Sequence, residues 1–181
     1  MEAGTATRAA IGSELVRLAV EGDETAFTRI VAAHHGDMLK VCLAVCGDVD
    51  LAEEAAQAAW GLAWRRMPSL RDTDRLRSWL VSIAANQARD ALRRRRRRPV
   101  VELDVADAAS PSSDPARRPG DIDLRNALAA LDATDRALVA LRYVAGLDSF
   151  ELGRALGSSP SGTRARLARI LDRLRTELGD A

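Results

Sequence analysis

The strongest chemical signal in this chain lies near the end of a predicted helix that runs to a block of six arginines, Arg93 to Arg98. Consecutive arginines neutralise phosphates whatever the base sequence. Asn86 stands two helical turns earlier, and an asparagine amide can pair with a base edge or hold an unstacked base. The stretch therefore predicts contact with nucleic acid, and the alternative is a solvated helix end or a basic tail.

The same stretch has two distinct faces when it is drawn as a helix. The apolar side comprises Leu76, Leu80, Ile83, Ala84, Ala88, Ala91 and Leu92, with Trp79 at its border. The polar stripe comprises Ser82, Asn86, Arg89, Asp90 and Arg93. We expect the apolar side to be buried and the polar stripe to be an exposed reading face.

Charge is concentrated rather than spread over the chain. The net charge is +1, with 27 basic and 26 acidic residues, and the arginine block holds six of the basic ones. The remainder of the chain is therefore acidic overall, by about five charges. Lys40 is the single lysine. Arginine suits forked phosphate contacts, although a GC-rich genome would give the same bias.

A second motif lies towards the end of the chain. Asp148 and Glu151 form a predicted capping box for a short helix that ends at Gly157. Pro160 is placed to open the next helix, and Gly153 is small where two helices must approach. This pattern of helix, glycine turn and helix predicts a helix-turn-helix.

The second helix of this motif carries Arg164, Ala165, Ala168 and Arg169 on one face. Two arginines among alanines can enter a major groove without obstruction. Its opposite, apolar side comprises Leu167, Ile170, Leu171 and Leu174. The alternative is an ordinary helical hairpin with a solvated arginine face.

The elements that must position these residues are helices throughout. The predicted helices are Ser13–Glu21, Asp23–Cys46, Val49–Met67, Asp74–Arg97, Asp121–Leu131, Thr134–Ala145, Ser149–Leu156 and Pro160–Leu178. No strand pattern is present in the sequence. Four of the six prolines lie between Pro99 and Gly120, which predicts a flexible linker. We therefore predict an all-α chain of two small domains, 1–98 and 121–181, that tumble independently on the tether 99–120.

Other chemistries have weaker support. His34, His35, Cys42 and Cys46 could approach a metal site, but the cysteines continue an apolar helical series and are better explained as core residues. Trp64 is expected in the core, and Trp60 is equally compatible with core or stacking roles. There is no Ser-His-Asp arrangement, phosphate-binding glycine loop or nucleotide fingerprint, so we expect no catalytic residue, cofactor, metal or small-molecule substrate.

Compartment signals are few. No apolar segment approaches the length of a membrane span, and the N-terminus lacks the pattern of a signal peptide. The two cysteines do not form a disulfide framework. We expect a cytoplasmic protein.

Both halves resemble one family in the same order, the extracytoplasmic-function sigma factors of the sigma-70 family of bacterial RNA polymerase. In the first half the resemblance rests on Gly22–Phe27, Ala52–Gln57 running to Ala63-Trp64, and Arg77–Asn86. In the second half it rests on Leu131, Asp135-Arg136, Leu141–Leu147 and Gly157–Leu167. It covers nearly the whole chain except the first dozen residues and the linker.

The resemblance implies three binding surfaces on regions 2 and 4 of the family. The surface for core polymerase would be Glu53, Glu54, Gln57, Trp60 and Arg65. The surface for the −10 promoter element would be Pro68, Ser69, Leu70, Arg71, Asp72, Trp79, Asn86, Arg89, Asp90 and Arg93, with the loop from Pro68 receiving a flipped base. The surface for the −35 element would be Arg142, Ser161, Arg164, Ala165, Arg166, Ala168 and Arg169.

The implied function is transcription initiation: the chain would bind core polymerase, recognise promoter DNA and start transcription of a specific regulon. An anti-sigma factor is a further implied partner. Some positions depart from the family pattern: Leu76 replaces an aromatic residue, Leu152-Gly153 stands where Ile-Ala is typical, and Ser161-Gly162-Thr163 replaces Gly-Thr-Val. Ala165 and Ala168 offer no hydrogen bonds, so recognition of the −35 element is expected to depend on Arg164, Arg169 and DNA shape.

Two other classes of protein remain as alternatives from the residues alone. One is a dimeric helix-turn-helix regulator that acts without binding core polymerase, and the other is a small helical metal or redox protein. A conventional regulator needs a ligand-binding or dimerisation domain, for which the polar helix face of the first half is poorly suited. The sequence does not specify the promoter, the inducing signal or the anti-sigma factor.

Overall fold

The computed structural model describes residues 12–97 and 119–179, and within those ranges all regular structure is helical. The elements in chain order are α1 (12–20), α2 (Glu24–Cys46), α3 (Val49–Arg66), α4 (Leu76–Arg97), α5 (Pro119–Ala130), α6 (Ala133–Val139), α7 (Ser149–Leu156) and α8 (Pro160–Gly179). The all-α fold class is confirmed. Most predicted ends agree within two residues, and α5 begins at Pro119, inside the predicted linker. Residues 98–118, which contain the rest of that linker, lie outside the described residues.

The first half is a bundle in which α2, α3 and α4 all pack against one another. Short polar caps fix where its helices begin. Asp23 accepts hydrogen bonds from the backbone N–H groups of Thr25 and Ala26 at the start of α2, and Asp48 accepts one from Leu51 at the start of α3. Gly47 between them has φ +71°, a left-handed conformation that glycine adopts without strain.

Two short 3₁₀ turns, Met67–Ser69 and Thr73–Arg75, connect α3 to α4. Asp72 caps the second turn by accepting from the backbone N–H of Asp74 at 3.2 Å. The sequence predicted that α4 begins at Asp74, whereas the α-helix begins at Leu76 because the first residues of that segment adopt the tighter 3₁₀ geometry.

The second half is built on α8, against which α5, α6 and α7 pack. The predicted helix Thr134–Ala145 is divided: α6 ends at Val139, and Ala140–Val144 forms a π-helical turn. The backbone N–H of Ala145 donates to the Ala140 carbonyl at 3.1 Å, one residue further back than in an α-helix. The segment ends at Gly146, with φ +75°.

The two halves are in direct contact, which differs from the predicted independent tumbling. Helices α2 and α4 of the first half pack against α6, α7 and the π turn of the second. Buried residues of both halves, from Val16 to Leu174, form one continuous apolar cluster. Separation would expose that apolar surface to water, so the contact opposes independent motion.

Within residues 12–97 and 119–179, none of the helices combines the length and hydropathy that a membrane crossing requires.

Candidate nucleic-acid interface

Helix α4 buries its apolar side as the sequence predicted. Leu76, Leu80, Ile83, Ala84, Ala88, Ala91 and Leu92 are all buried, and Trp79 at their border is half-buried. Leu80 lies fully inside and contributes one of the largest buried side chains of the bundle. The position of the polar stripe on α4 is therefore fixed by the packing of the opposite side.

The polar stripe is less exposed than predicted. Ser82, Asn86, Arg89 and Asp90 are half-buried, and Arg93 alone in the stripe is exposed. The cause is the second half, which packs over this part of α4. Asn86 Nδ2 donates to the carbonyl of Ala155 at 3.3 Å, and Arg93 Nη2 donates to Thr134 Oγ1 at 3.3 Å.

Arg93 to Arg97, the described part of the arginine block, form the exposed C-terminal end of α4. Arg95 pairs with Asp48 at 3.0 Å and Arg94 lies 3.9 Å from Glu54, so two of its members are tied to α3. The pKa of Asp48 is lowered by the backbone N–H of Leu51 and by Arg95. Because Arg94 and Arg95 remain about half exposed, their charge is available to a phosphate backbone. Arg98 lies outside the described residues.

The loop predicted to receive a flipped base is open to solvent. Pro68, Ser69, Arg71 and Asp72 are exposed, and Leu70 is half-buried. Asp72 is occupied within its own turn, where it pairs with Arg75 at 2.7 Å. The loop leads directly into α4 through the 3₁₀ turn at Thr73–Arg75 and leaves its polar side chains open to solvent.

Helices α7 and α8 form the predicted helix-turn-helix. Asp148 and Glu151 make both hydrogen bonds of a capping box, and Gly157 ends α7 with φ +69°. A Cβ at Gly153 would lie 2.7 Å from the carbonyl oxygen of Ser158, so only glycine allows this close approach. Pro160 opens α8 as predicted.

The outward face of α8 carries five of the predicted upstream contacts, all exposed: Ser161, Arg164, Ala165, Ala168 and Arg169. Arg164 Nη1 is held by Ser149 Oγ at 3.1 Å. On the opposite side, Ile170 and Leu174 are buried, and Leu167 and Leu171 are half-buried. This face is therefore accessible to the major groove of DNA, while the apolar side packs α8 against the rest of the second half.

Two predicted upstream contacts point elsewhere in this conformation. Arg166 pairs with Asp135 at 2.5 Å and with Asp132 at 3.5 Å, both in the segment that begins α6. Arg142 is exposed, and its Nη1 donates to the carbonyl of Leu147 at 2.9 Å. Arg166 thus ties α8 to α6, and Arg142 closes the turn before α7.

The third predicted surface is a groove of about 500 Å³ between α2 and α3, lined by Val31, His35, Glu53, Gln57 and Trp60. Glu53, Glu54, Gln57 and Arg65 are exposed on α3. Trp60 is nearly buried, at 9% exposure, and its indole N–H donates to His35 Nδ1 at 3.2 Å. The groove thus joins an apolar floor to a polar rim.

Phe27 completes an aromatic cluster beneath this surface. Its ring packs edge-on against Trp60 at 5.7 Å and against Trp64 at 4.6 Å between centroids. Trp64 retains 36% exposure, so it lies partly outside the core in which it was expected.

The cysteines are core residues, as the sequence favoured. Both are buried, and their thiols point to backbone carbonyls of α4: Cys42 to Ala84 at 3.6 Å and Cys46 to Ala88 at 3.8 Å. Burial raises the pKa of Cys42 to about 12 and that of Cys46 to about 11. Within the described ranges, no group of three or more His, Cys, Asp or Glu residues could hold a metal.

Comparison with known proteins identifies the family. Residues 30–98 match the family described as Sigma-70 region 2. The RNA polymerase sigma factor CarQ of Myxococcus xanthus is 32% identical over 165 residues, covering 88% of this chain and 93% of CarQ. The chain belongs to the sigma-70 family, in its extracytoplasmic-function group. It is thus a sigma factor, and its class of function is transcription initiation.

Other relatives agree with this assignment of the sigma factor. The probable RNA polymerase sigma factor RfaY of Xanthomonas campestris is 34% identical over 168 residues, and the match covers 88% of this chain but 42% of RfaY. The ECF RNA polymerase sigma factor SigM of Mycobacterium tuberculosis is 29% identical over 167 residues, covering 92% of this chain and 84% of SigM.

Solved structures share the fold of the sigma factor. The structure of CnrH in complex with the cytosolic domain of CnrY matches with a TM-score of 0.68 and 22% identity, over 94% of this chain and 98% of that one. The sigma factor RpoE in complex with the anti-sigma factor NepR from Bartonella quintana matches with a TM-score of 0.63 and 20% identity, over 84% and 96%.

Sequence reasoning missed the residues of the sigma factor that join its two halves. Arg136 is buried, at 7% exposure, and its Nη1 donates to the carbonyl of Val45 in α2 at 3.2 Å. Arg77 Nη1 donates to the carbonyl of Ala145 at 2.8 Å. Their acceptors are backbone carbonyl oxygens, and no pattern of side chains in the sequence predicts which carbonyls will accept. The one available signal was the position of both arginines within the family-like segments.

Proposed function

We propose that this sigma factor directs core RNA polymerase to promoters through three surfaces, with no catalytic chemistry of its own. The observation that carries the proposal is the presence, on one chain, of a Sigma-70 region 2 bundle and a capped helix-turn-helix with an exposed arginine face. We place region 2 at residues 1–98 and region 4 at 121–181, joined by 99–120. Its site of action is the cytoplasm, where polymerase and promoter DNA meet.

We assign polymerase docking to the groove on α3. Glu53 and Gln57 give an exposed polar rim, the nearly buried Trp60 gives an apolar floor, and Glu54 is exposed next to the rim, 3.9 Å from Arg94. A mostly desolvated aromatic residue inside a polar rim is the arrangement found at energetically dominant points of protein interfaces. Arg65 extends the surface by slightly more than one turn along α3.

Docking can be tested by reversing the charge of that rim. Replacing Glu54→Arg and Gln57→Arg together is expected to abolish co-purification with core polymerase and to leave the helical circular dichroism unchanged, since both side chains are exposed. The control is Glu14→Arg with Glu21→Arg. It alters two exposed acidic residues, one in α1 and one directly after it, that pair with Arg17, and it is expected to retain binding. Normal binding by the groove variant would remove this surface from the proposal.

We assign the −10 element to α4 and the loop before it. Asn86 offers an amide for a base edge, half-buried Trp79 and the exposed loop at Pro68–Asp72 would receive a flipped base, and the arginine block neutralises phosphates. Extruding a base costs a few kcal/mol of stacking, so strand opening needs a pocket that stabilises the flipped base. Arg89, Asp90 and Arg93 complete this surface.

Asn86→Ala is the matching test of strand opening. We expect it to leave binding to the duplex −35 element unchanged and to slow the appearance of permanganate-reactive thymines in the −10 element. Arg164→Ala is the converse case, expected to weaken duplex binding by about 1–3 kcal/mol if it pairs with a base. Equal opening rates for Asn86→Ala and the natural protein would refute the role given to Asn86.

We assign the −35 element to the exposed face of α8. Arg164 and Arg169 supply hydrogen-bond donors there, Ser161 adds a hydroxyl, and Ala165 and Ala168 leave room for the groove edge. We give Arg166 and Arg142 positioning roles, because Arg166 is paired with Asp135 and Arg142 with the Leu147 carbonyl.

An anti-sigma factor is the third proposed partner. Two solved structures that share this fold are complexes, one of CnrH with the cytosolic domain of CnrY and one of RpoE with the anti-sigma factor NepR. For this chain the proposal rests on that shared fold and on family membership.

A further inference from the structure

One side-chain hydrogen bond joins the first described helix to the turn that precedes α4. Ser13 Oγ in α1 lies 2.6 Å from Oγ1 of Thr73, the first residue of the 3₁₀ turn. The two residues are 60 positions apart in the sequence, and both are half-buried. Neither residue belongs to the three surfaces proposed above.

Thr73 is the least exposed residue of an otherwise exposed segment. The two residues on each side of it are exposed. Asp72 bonds to the backbone N–H of Asp74 and to the Arg75 side chain, both within the turn. Across residues 71–75, the bond to Ser13 is the one side-chain hydrogen bond that reaches more than three positions along the chain.

Helix α1 provides a fixed support for this bond. Val16 and Ala19, on the same helix as Ser13, are buried and belong to the continuous apolar cluster of the molecule. Moving α1 would expose those side chains to water, so packing fixes its position. Among the described residues, the bond to Thr73 is also the one side-chain hydrogen bond from α1 to a residue beyond Glu21.

The loop Pro68–Asp72 is held differently along its length. Leu70 packs, partly buried, against the apolar cluster, and the chain re-enters the core at Leu76. Between those two points no side chain is buried. The bond between Thr73 and Ser13 therefore ties the end of the loop to the rest of the fold.

We propose that Ser13 is a positioning residue for strand opening, which acts through Thr73 to hold the loop Pro68–Asp72 in the conformation that receives a flipped base. The inference rests on the function proposed for that loop. A loop that is already ordered loses less conformational entropy when the base binds, so more of the binding free energy remains to offset unstacking. Without the bond, the competent conformation is less populated, and the apparent affinity for the base falls in proportion.

Conservative variants separate the hydrogen bond from the fold. Ser13→Ala and Thr73→Val each remove one hydroxyl and nearly preserve the shape of the side chain, whereas Ser13→Thr retains the hydroxyl. The matched control is Thr28→Val, which removes an exposed hydroxyl that donates to the Glu24 carbonyl at 2.8 Å within α2. Circular dichroism and thermal melts measure the folded fraction of each variant.

The test uses holoenzyme assembled from purified core polymerase and the full chain, at a promoter mapped by run-off transcription with the natural protein. The probes are the single non-template strand of its −10 element and derivatives in which each base in turn is replaced by an abasic site. The natural protein should lose most affinity when the flipped base is the one removed. The ratio of the intact-strand affinity to the abasic-strand affinity, taken within one protein, cancels any change in the folded fraction. A purely structural role for Ser13 would therefore leave this ratio unaltered.

We expect the ratio at the flipped base to fall about three- to tenfold in Ser13→Ala and in Thr73→Val, as loss of one half-buried hydrogen bond implies. The double variant should show the same fall as either single variant, because each removes the same bond. Permanganate-detected opening should slow by a similar factor, with binding to the duplex −35 element unchanged. Ser13→Thr and Thr28→Val should keep the natural ratio.

An unchanged ratio in Ser13→Ala, or an equal fall in Thr28→Val, would overturn the positioning role. Additive falls in the double variant would overturn it too, because the two hydroxyls would then act separately. Failure of the proposed function gives a different result, in which the natural protein supports no promoter-dependent transcription or no base of the −10 strand is sensitive to removal. That result would overturn both proposals, whereas an unchanged ratio in Ser13→Ala overturns this one alone.

Discussion

The arginines of this chain differ in role because their surroundings differ. Arg136 is buried among three backbone carbonyls, and burial, with the nearby Arg96 charge, lowers its pKa. Arg166 is paired with two carboxylates, whereas Arg169 is exposed on α8 and bonds only weakly back to the Ala165 carbonyl, at 3.4 Å. Identical side chains therefore differ in role: Arg136 is structural, and Arg169 is proposed to bind DNA.

Arg166 and Arg169 offer a direct comparison of these roles. We expect Arg166→Ala to lower the free energy of unfolding by about 0.5–1 kcal/mol, because its ion pairs are partly exposed. Arg169→Ala should leave unfolding unchanged and cost about 1–3 kcal/mol at the upstream element if it pairs with a base. Urea denaturation measures the unfolding free energy, and duplex titration measures the binding free energy. Loss of stability in Arg169→Ala together with loss of binding in Arg166→Ala would contradict the two roles.

The buried thiols predict a stability change at high pH. In the unfolded chain they deprotonate near pH 9, whereas the folded-state pKa values of about 12 for Cys42 and about 11 for Cys46 keep them protonated. Stability from these groups is therefore complete below pH 9 and declines as the pH rises towards 11. The variant Cys42→Ala with Cys46→Ala should lack this decline, and identical pH profiles in denaturant melts would contradict the prediction.

At the scale of helices, short polar and glycine residues determine most boundaries. Asp23, Asp48 and Asp148 accept from the first backbone N–H groups of α2, α3 and α7, while Gly47 and Gly157 end α2 and α7 in left-handed conformations. The tight pairing of α7 with α8 depends in addition on the absence of a side chain at Gly153.

Gly153→Ala tests that close approach. Its Cβ would meet the backbone oxygen of Ser158 at 2.7 Å, so we expect a loss of about 1–3 kcal/mol in the stability of the second half. Gly36→Ala is the control: it lies within α2 with nothing near its Cβ position, and should raise stability by about 0.5–1 kcal/mol. Thermal melts compare the two variants. Equal changes in melting temperature would show that the close approach of Ser158 does not exclude a side chain at Gly153.

Helix positions and the helix-turn-helix could be predicted because caps and apolar spacing are local signals. Asp148, Glu151 and Gly157 mark α7 without any knowledge of tertiary structure. The division at Ala140 into a π turn leaves no such mark. The half-burial of Asn86 could not be predicted either, because the cause is packing by a segment about 70 residues away in the sequence.

At the scale of the whole molecule, the two described halves, residues 12–97 and 119–179, lie in contact. Because α5 begins at Pro119, the connecting segment Pro99–Arg118 has 20 residues, which could extend to at most about 65–70 Å and as a flexible coil would average about 22–27 Å. That reach allows the two halves to lie against each other, as the structure shows. It also allows them to reach two promoter elements about one and a half turns of DNA apart.

Changes in tether length test this arrangement. Six Gly/Ser residues inserted near Ser112, outside the described residues, should weaken transcription only several-fold, because effective concentration falls slowly with tether length. A tether of fewer than about ten residues, with a reach of roughly 35 Å, should abolish transcription. Full activity with the short tether at unchanged promoter spacing would show that the halves do not straddle the promoter.

The most direct test of sigma function is run-off transcription with purified core polymerase on genomic DNA fragments from the source organism, followed by mapping of transcript 5′ ends. With the natural protein we expect start sites that share two upstream sequence elements at a fixed spacing. The groove variant Glu54→Arg with Gln57→Arg should give the same background as core polymerase alone. A start-site pattern indistinguishable from core polymerase alone, with folded natural protein present, would contradict the account.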